Sequence, residues 1–187
     1  MKKLLILSVL LIIGNSTFAQ SKKVVAAKLR PFIPKNYSVL AYETGDLNQD
    51  TYPDVVLALK YNHETDSAQT ARPLLILFGK KGGGLSLYAR NDSAVLCKGC
   101  GGMFGDPFEG ITIKGRYFSL EYYGGSRYRW NRITTFKYDL VKKDFVLHRD
   151  AGVSYDDVQE DKKYTQDVYH KAAFDKQRFI KYNYDTD

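Results

Sequence analysis

"ITIKGRYFSLEYYGGSRYRWNRITTFKY", residues 111–138, decides the fold class. Aromatic and β-branched residues dominate it, and short glycine or charged breaks interrupt it, as in a series of strands. "KG" at 114–115 reads as a two-residue turn with glycine where φ must be positive. It would join strands at about 111–114 and 116–123. A third strand follows at about 127–138. Outward from this block the same grammar predicts strands at about 37–43, 54–61, 73–79, 85–90 and 144–149. "GKKGGG" separates "PLLILF" from "LSLYAR", and "DLVKKD" separates "TTFKY" from "FVLH". Strands adjacent in sequence are usually adjacent in space. The expected fold is therefore mainly β: an antiparallel meander, as a curved sheet or a sandwich. "QSKKVVAAKLR", 20–30, adds a short N-terminal amphipathic helix that ends at Pro31. No fixed-period repeat is present, which argues against a propeller or solenoid. The chain from about 153 is more polar. "DDVQEDKK" reads as a loop, and the aromatic-rich "YTQDVYHKAAF" and "QRFIKYNYD" read as late strands.

The first residues set the compartment. Lys2 and Lys3 precede an apolar run, Leu4 to Ile13, and then Thr17-Phe18-Ala19. This is the order of a signal peptide, cleaved after Ala19. The run is shorter than the roughly 20 residues that span a bilayer. With no cysteine after it, the expected product is periplasmic or secreted and not a lipoprotein. Residues 20–187 then form a single domain, long enough to bury a core.

"GDLNQDTYPDVV", residues 45–56, spaces Asp46, Asn48, Asp50 and Asp54 at offsets one, three, five and nine, with Tyr52 at seven. A curled loop brings such alternate oxygens to one point. Calcium takes about six to eight oxygens, with a backbone carbonyl often among them. The stretch resembles the Asp-rich calcium loops of FG-GAP and VCBS repeats, which implies calcium as a cofactor held by Asp46, Asn48, Asp50, Tyr52 and Asp54. It departs from them at Thr51, where those loops carry glycine. A β-branched residue at φ > 0 costs about 1–2 kcal/mol. Two readings stay open: a weak calcium site, or a turn closed by Asx-type hydrogen bonds.

"CKGCGGMFGDPFEG", 97–110, is a glycine-rich loop that contains both cysteines, Cys97 and Cys100. An exported chain favours a disulfide between them. Zinc would need further ligands from His63, His148 or His170, which show no metal-site spacing. A thiol-redox motif would open a helix, and strand and glycine flank this one. Asp106 and Glu109 form a candidate carboxylate pair for acid–base chemistry, or are simply turn formers.

In "SRYRWNR", alternation places Arg127, Arg129 and Asn131 on one side of a strand and Tyr128, Trp130 and Arg132 on the other. Arginine beside Trp130 suits a glycan or a single-stranded nucleic acid. Export argues against nucleic acid. The formal charge is +7, of which Lys2 and Lys3 supply two. This excess fits either an anionic partner or ordinary solubility.

The order of "RPLLILF", "CKGCGGMFGDPFEGI", "YYGGSRYRW" and "DFVLH" resembles a group of small exported bacterial proteins of uncharacterised role, and this implies no activity. The expected function is a non-enzymatic module that binds a protein or glycan of the cell envelope. The alternative is an envelope hydrolase or thiol-redox enzyme centred on 97–110. Protein recovered from the cell envelope is expected to begin at Gln20. Intact mass decides this, and a cytoplasmic chain retaining Met1 would overturn it.

Overall fold

The computed structural model describes residues 25–159 and 164–185. The expected leader, 1–19, lies outside the described residues, as do the start of the predicted helix and part of "DDVQEDKK". Met1–Pro34 and Lys35–Asp187 form separate units. In the first, residues 25–29 are helical and pass into a 3-10 turn at Arg30–Phe32 that contains Pro31. Among the described residues, no helix is long and apolar enough to cross a membrane.

The second unit is mainly β, built as two antiparallel meanders. The first sheet runs in the order β1 (Tyr37–Gly45), β2 (Asp54–Tyr61), β3 (Leu74–Gly79), β4 (Leu85–Asn91). The second runs β5 (Phe108–Lys114), β6 (Tyr117–Gly125), β7 (Tyr128–Asp139), β8 (Asp144–Asp156), β9 (Thr165–Val168). Within each sheet, strands adjacent in sequence are adjacent in space. The β5–β6 turn lies one residue beyond its predicted place. Lys114 pairs with Tyr117, so Gly115-Arg116 is the loop and Gly115 takes the positive φ.

The two sheets share one core. Val56, Ala58, Leu74 and Ile76 meet Phe118, Leu120, Phe136 and Leu147. "DVVLAL" in β2 does not alternate, and accordingly Val55, Leu57 and Leu59 on its other face are buried as well. Strand β6 does alternate, and its even-numbered residues Phe118 to Gly124 face inward.

"QRFIKYNYD" is not a strand. It forms a 3-10 turn, Phe179–Lys181, that drives an aromatic plug into the core. The Phe179 ring meets Phe118 and Phe136 edge-on, with centroids 5.9 and 5.2 Å away. Tyr182 meets Phe136 at 5.1 Å. The Asn91 side-chain amide donates to the carbonyls of Phe179 and Tyr182, which tethers the plug to the end of β4. Local ring packing and side-chain tethers replace a ladder here, so aromatic content alone misread the segment. The first late strand is present but short, as β9.

Beneath the second sheet, one carboxylate collects the pieces. Asp150 on β8 is fully buried. Arg132 on β7 donates to both its oxygens, from Nε at 2.8 Å and Nη2 at 2.7 Å. The Thr134 hydroxyl donates at 3.1 Å and the Tyr182 hydroxyl at 2.7 Å. His170 Nδ1 lies 3.0 Å from Oδ2. Burial pushes the Asp150 carboxyl up, but Arg132 and the two hydroxyls outweigh this and hold it below the ordinary aspartate value. Asp150→Asn is expected to destabilise the protein by about 3–5 kcal/mol at pH 7, because Arg132 is left buried without its counter-ion. A depressed carboxyl contributes fully above its unfolded value, about 3.9, and loses that contribution as pH falls through the folded value. The stability gap between the two proteins, read by urea denaturation, therefore narrows below about pH 4.

Candidate functional site

The side of the second sheet that faces away from the core carries a shallow cleft of about 250 Å³. Three strands line it. Asn131 pairs with Val153, Ile133 with Ala151, and Thr135 with Arg149, while Val153 pairs onward with Gln166. Period-two alternation puts all of these on one face, with Arg132, Thr134 and Asp150 directly beneath. Gly152 shapes the floor, since a Cβ there would lie 1.8 Å from the Asn131 carbonyl oxygen. Only a residue without a side chain lets β8 approach β7 so closely.

The polar groups of the cleft differ in what they already hold. Asn131 Oδ1 accepts the Val153 amide at 3.0 Å, which fixes the side chain and leaves its NH₂ facing out. The Thr135 hydroxyl exchanges a hydrogen bond with Ser119 at 2.9 Å. Arg149 and Gln166 are exposed and engage no ion-pair or hydrogen-bond partner among the described residues. An aromatic shoulder adjoins this row. Tyr123 on β6 is the cross-strand neighbour of Asn131. Phe104 stands edge-to-face with Tyr123 at 5.7 Å, and the Arg129 guanidinium lies 3.9 Å over the Phe104 ring.

The predicted ligand-binding residues do not assemble in one place. Arg129 joins the shoulder and pairs with Asp157 at 3.2 Å. Arg127 precedes β7 rather than starting it, and its guanidinium grips Asp156 at 2.7 Å. Trp130 faces inward and packs against the core. Asp106 serves a buried cation. Arg72, fully buried, donates to Asp106 at 2.7 and 2.6 Å, to Glu64 at 3.0 and 2.6 Å, and to the Leu96 carbonyl at 3.2 Å. Burial pushes the Asp106 carboxyl up, yet Arg72 and the Phe108 amide bring it below its ordinary value. Glu109 stays exposed, at a bulge in β5. Cys97 and Cys100 form a disulfide with Cα atoms 5.2 Å apart, across the 3-10 turn Lys98–Gly101. Gly99 in that turn abuts the Asp66 backbone, where a Cβ would come within 1.7 Å of the carbonyl oxygen. The Arg72 ion pairs and this contact lock the 97–106 loop to the β2–β3 connection.

No family model, curated protein or solved structure matches the chain.

The Asp-rich loop is held from within. Asp54, fully buried at the start of β2, accepts the amides of Leu47 at 2.9 Å, Asn48 at 3.3 Å and Gly79 at 2.9 Å. Burial pushes its carboxyl up against the pull of these three amides. Asp46 accepts the Asp50 and Thr51 amides at 3.1 and 3.0 Å. Asn48 and Asp50 bond each other at 2.8 Å, and Asp50 also accepts the Tyr52 amide at 2.9 Å. With the oxygens turned to these donors, no group of three or more acidic, His or Cys side chains among the described residues is arranged to hold a metal ion. Thr51 takes φ +74°, the left-handed conformation that a β-branched side chain resists.

Cleft residues Thr135, Arg149 and Gln166 escape sequence reasoning. The strand expected at about 144–149 runs on to Asp156. The alternation in "HRDAGVSY" is the signal that could have found it. Thr51→Asn is expected to raise stability by about 1 kcal/mol, because asparagine tolerates the left-handed region. Thermal melting in EDTA reads this without any contribution from metal.

Proposed function

We propose that the chain is an exported, non-enzymatic binding module that takes a glycan of the cell envelope on the outer face of its five-stranded sheet. The observation that carries this is a row of polar side chains on one strand face beside two rings, the half-buried Tyr123 and the partly exposed Phe104 of the neighbouring loop. The Asn131 NH₂, the Gln166 amide and Arg149 line the cleft, and Tyr123 and Phe104 adjoin it. Side-chain amides, of which Asn131 is fixed by a backbone bond, suit sugar hydroxyls, and rings suit the C–H faces of pyranoses. The cleft is smaller than the roughly 300–1,000 Å³ that encloses a drug-sized ligand. It suits one residue of a polymer whose neighbours continue across the face. The geometry of the sheet needs no rearrangement to present these groups, since strand pairing holds them in register.

Three carboxylates, Asp54 and Asp150 buried and Asp106 half-buried, support a non-enzymatic role by what they already do. Asp54 closes a turn, Asp106 neutralises Arg72, and Asp150 joins β7, β8 and the C-terminal segment. Affinity gel electrophoresis through galactan, xylan, dextran and polygalacturonate tests the proposal. At least one polymer is expected to retard the protein, and the double variant Tyr123→Ala, Gln166→Ala is expected to lose that retardation. Free migration in all four, or an unchanged double variant, would overturn the proposal.

A further inference from the structure

Resting on that glycan-binding reading, we infer that the cleft selects acidic sugars, with Arg149 as the residue that holds a uronate carboxylate. Arg149 is the one charged side chain among the described residues that line the cleft. Its surroundings separate it from the other cations of this face. Arg129 is paired with Asp157 and stacked on Phe104. Lys137 lies 5.9 Å from the Tyr117 ring. Glu121, the nearest strand neighbour of Ile133 on β6, already accepts the Thr112 hydroxyl at 2.5 Å. Arg149 is the one cation lining this cleft, and its donors are unengaged among the described residues.

Its position is set from below. The next residue, Asp150, is the buried junction of five donors, so the backbone at 149–150 has one orientation and Arg149 must emerge on the outer face. A bulge on β8 between its pairings with Thr135 and Phe136 marks the end of the regular register there. The guanidinium presents a planar fork of N–H donors, and a carboxylate matches that fork with two parallel bonds. A uronic acid carries such a carboxylate beside ring hydroxyls. The carboxylate would sit at Arg149, while Thr135, Asn131 and Gln166 remain for the hydroxyls. The surplus of basic residues in the chain favours the same class of ligand.

Two polymers that differ only in the acid group provide the test: polygalacturonate and the same polymer after reduction of its carboxyl groups. The natural protein is expected to bind the acidic form about tenfold more tightly, as one charge-assisted contact allows. Arg149→Gln is expected to bind both forms equally, at the level the natural protein shows for the reduced form. Arg149→Lys retains part of the preference, since it keeps the charge and loses the fork. Lys81→Gln, on the β3–β4 turn, removes one charge elsewhere and is expected to keep the full preference. Arg149 is exposed, so an unchanged melting temperature will show that its variants fold. Equal binding of both polymers by the natural protein overturns the inference and leaves the glycan reading standing. A preference that survives in Arg149→Gln, or that falls equally in Lys81→Gln, also overturns it, because net charge is then responsible. Binding to neither polymer, nor to the neutral polysaccharides, defeats the glycan reading itself.

Discussion

The Asp150 carboxylate is the constraint on which the second sheet depends. A carboxylate withdrawn from water must recover its lost hydration from donors, and a partial set would leave it costly. Those donors come from β7, from the turn after β9 and from the C-terminal segment. Satisfying one charge therefore requires three separate parts of the chain to be in place together. Apolar packing accepts many near-equivalent arrangements. A bidentate guanidinium with two hydroxyls accepts few, and this gives the sheet a defined surface on its other side.

The same device recurs at smaller scale. Arg72 sits among Glu64, Asp106 and the Leu96 carbonyl and draws two loops into contact. Asp54 binds three amides and fixes the entry to β2. Close carboxylates offset the desolvation of Arg72, whereas at Asp54 burial outweighs the three amides, and in both cases the hydrogen bonds tie a connection to the strands that apolar burial holds. Replacing one partner leaves the other exposed to the full cost, so these connections tolerate little change. Glycine serves the same connections differently. At Gly99 and Gly152 it allows one backbone to reach another where any side chain would collide.

Much of the fold was legible in the residues because strand period, turn glycines and apolar runs are local properties. The eight strands expected between 37 and 149 all occur, with ends displaced by a few residues. The errors share a cause: they fall where distant residues decide. Gly152 lies past the strand end expected at 149, and is a strand interior pressed against Asn131. Arg72, next to an apolar run, is buried because carboxylates eight and 34 positions away meet there. "QRFIKYNYD" has the aromatic content of a strand, and its rings instead enter a core that other segments had built. The cleft was half visible. Alternation placed Arg129 and Asn131 on a common face, but Arg149 and Gln166 reach it only through pairings that the linear order does not announce.

Phe179 and Tyr182 have a bearing on the order in which the molecule can be completed. They belong to the last stretch of the described chain, yet they pack against Phe118 and Phe136 at the middle of the core and are tied to Asn91, 88 and 91 positions earlier. A chain that emerges N-terminus first leaves those rings open to water until the end has followed. Its stability arrives in one late step, through contacts of long sequence separation, which form slowly.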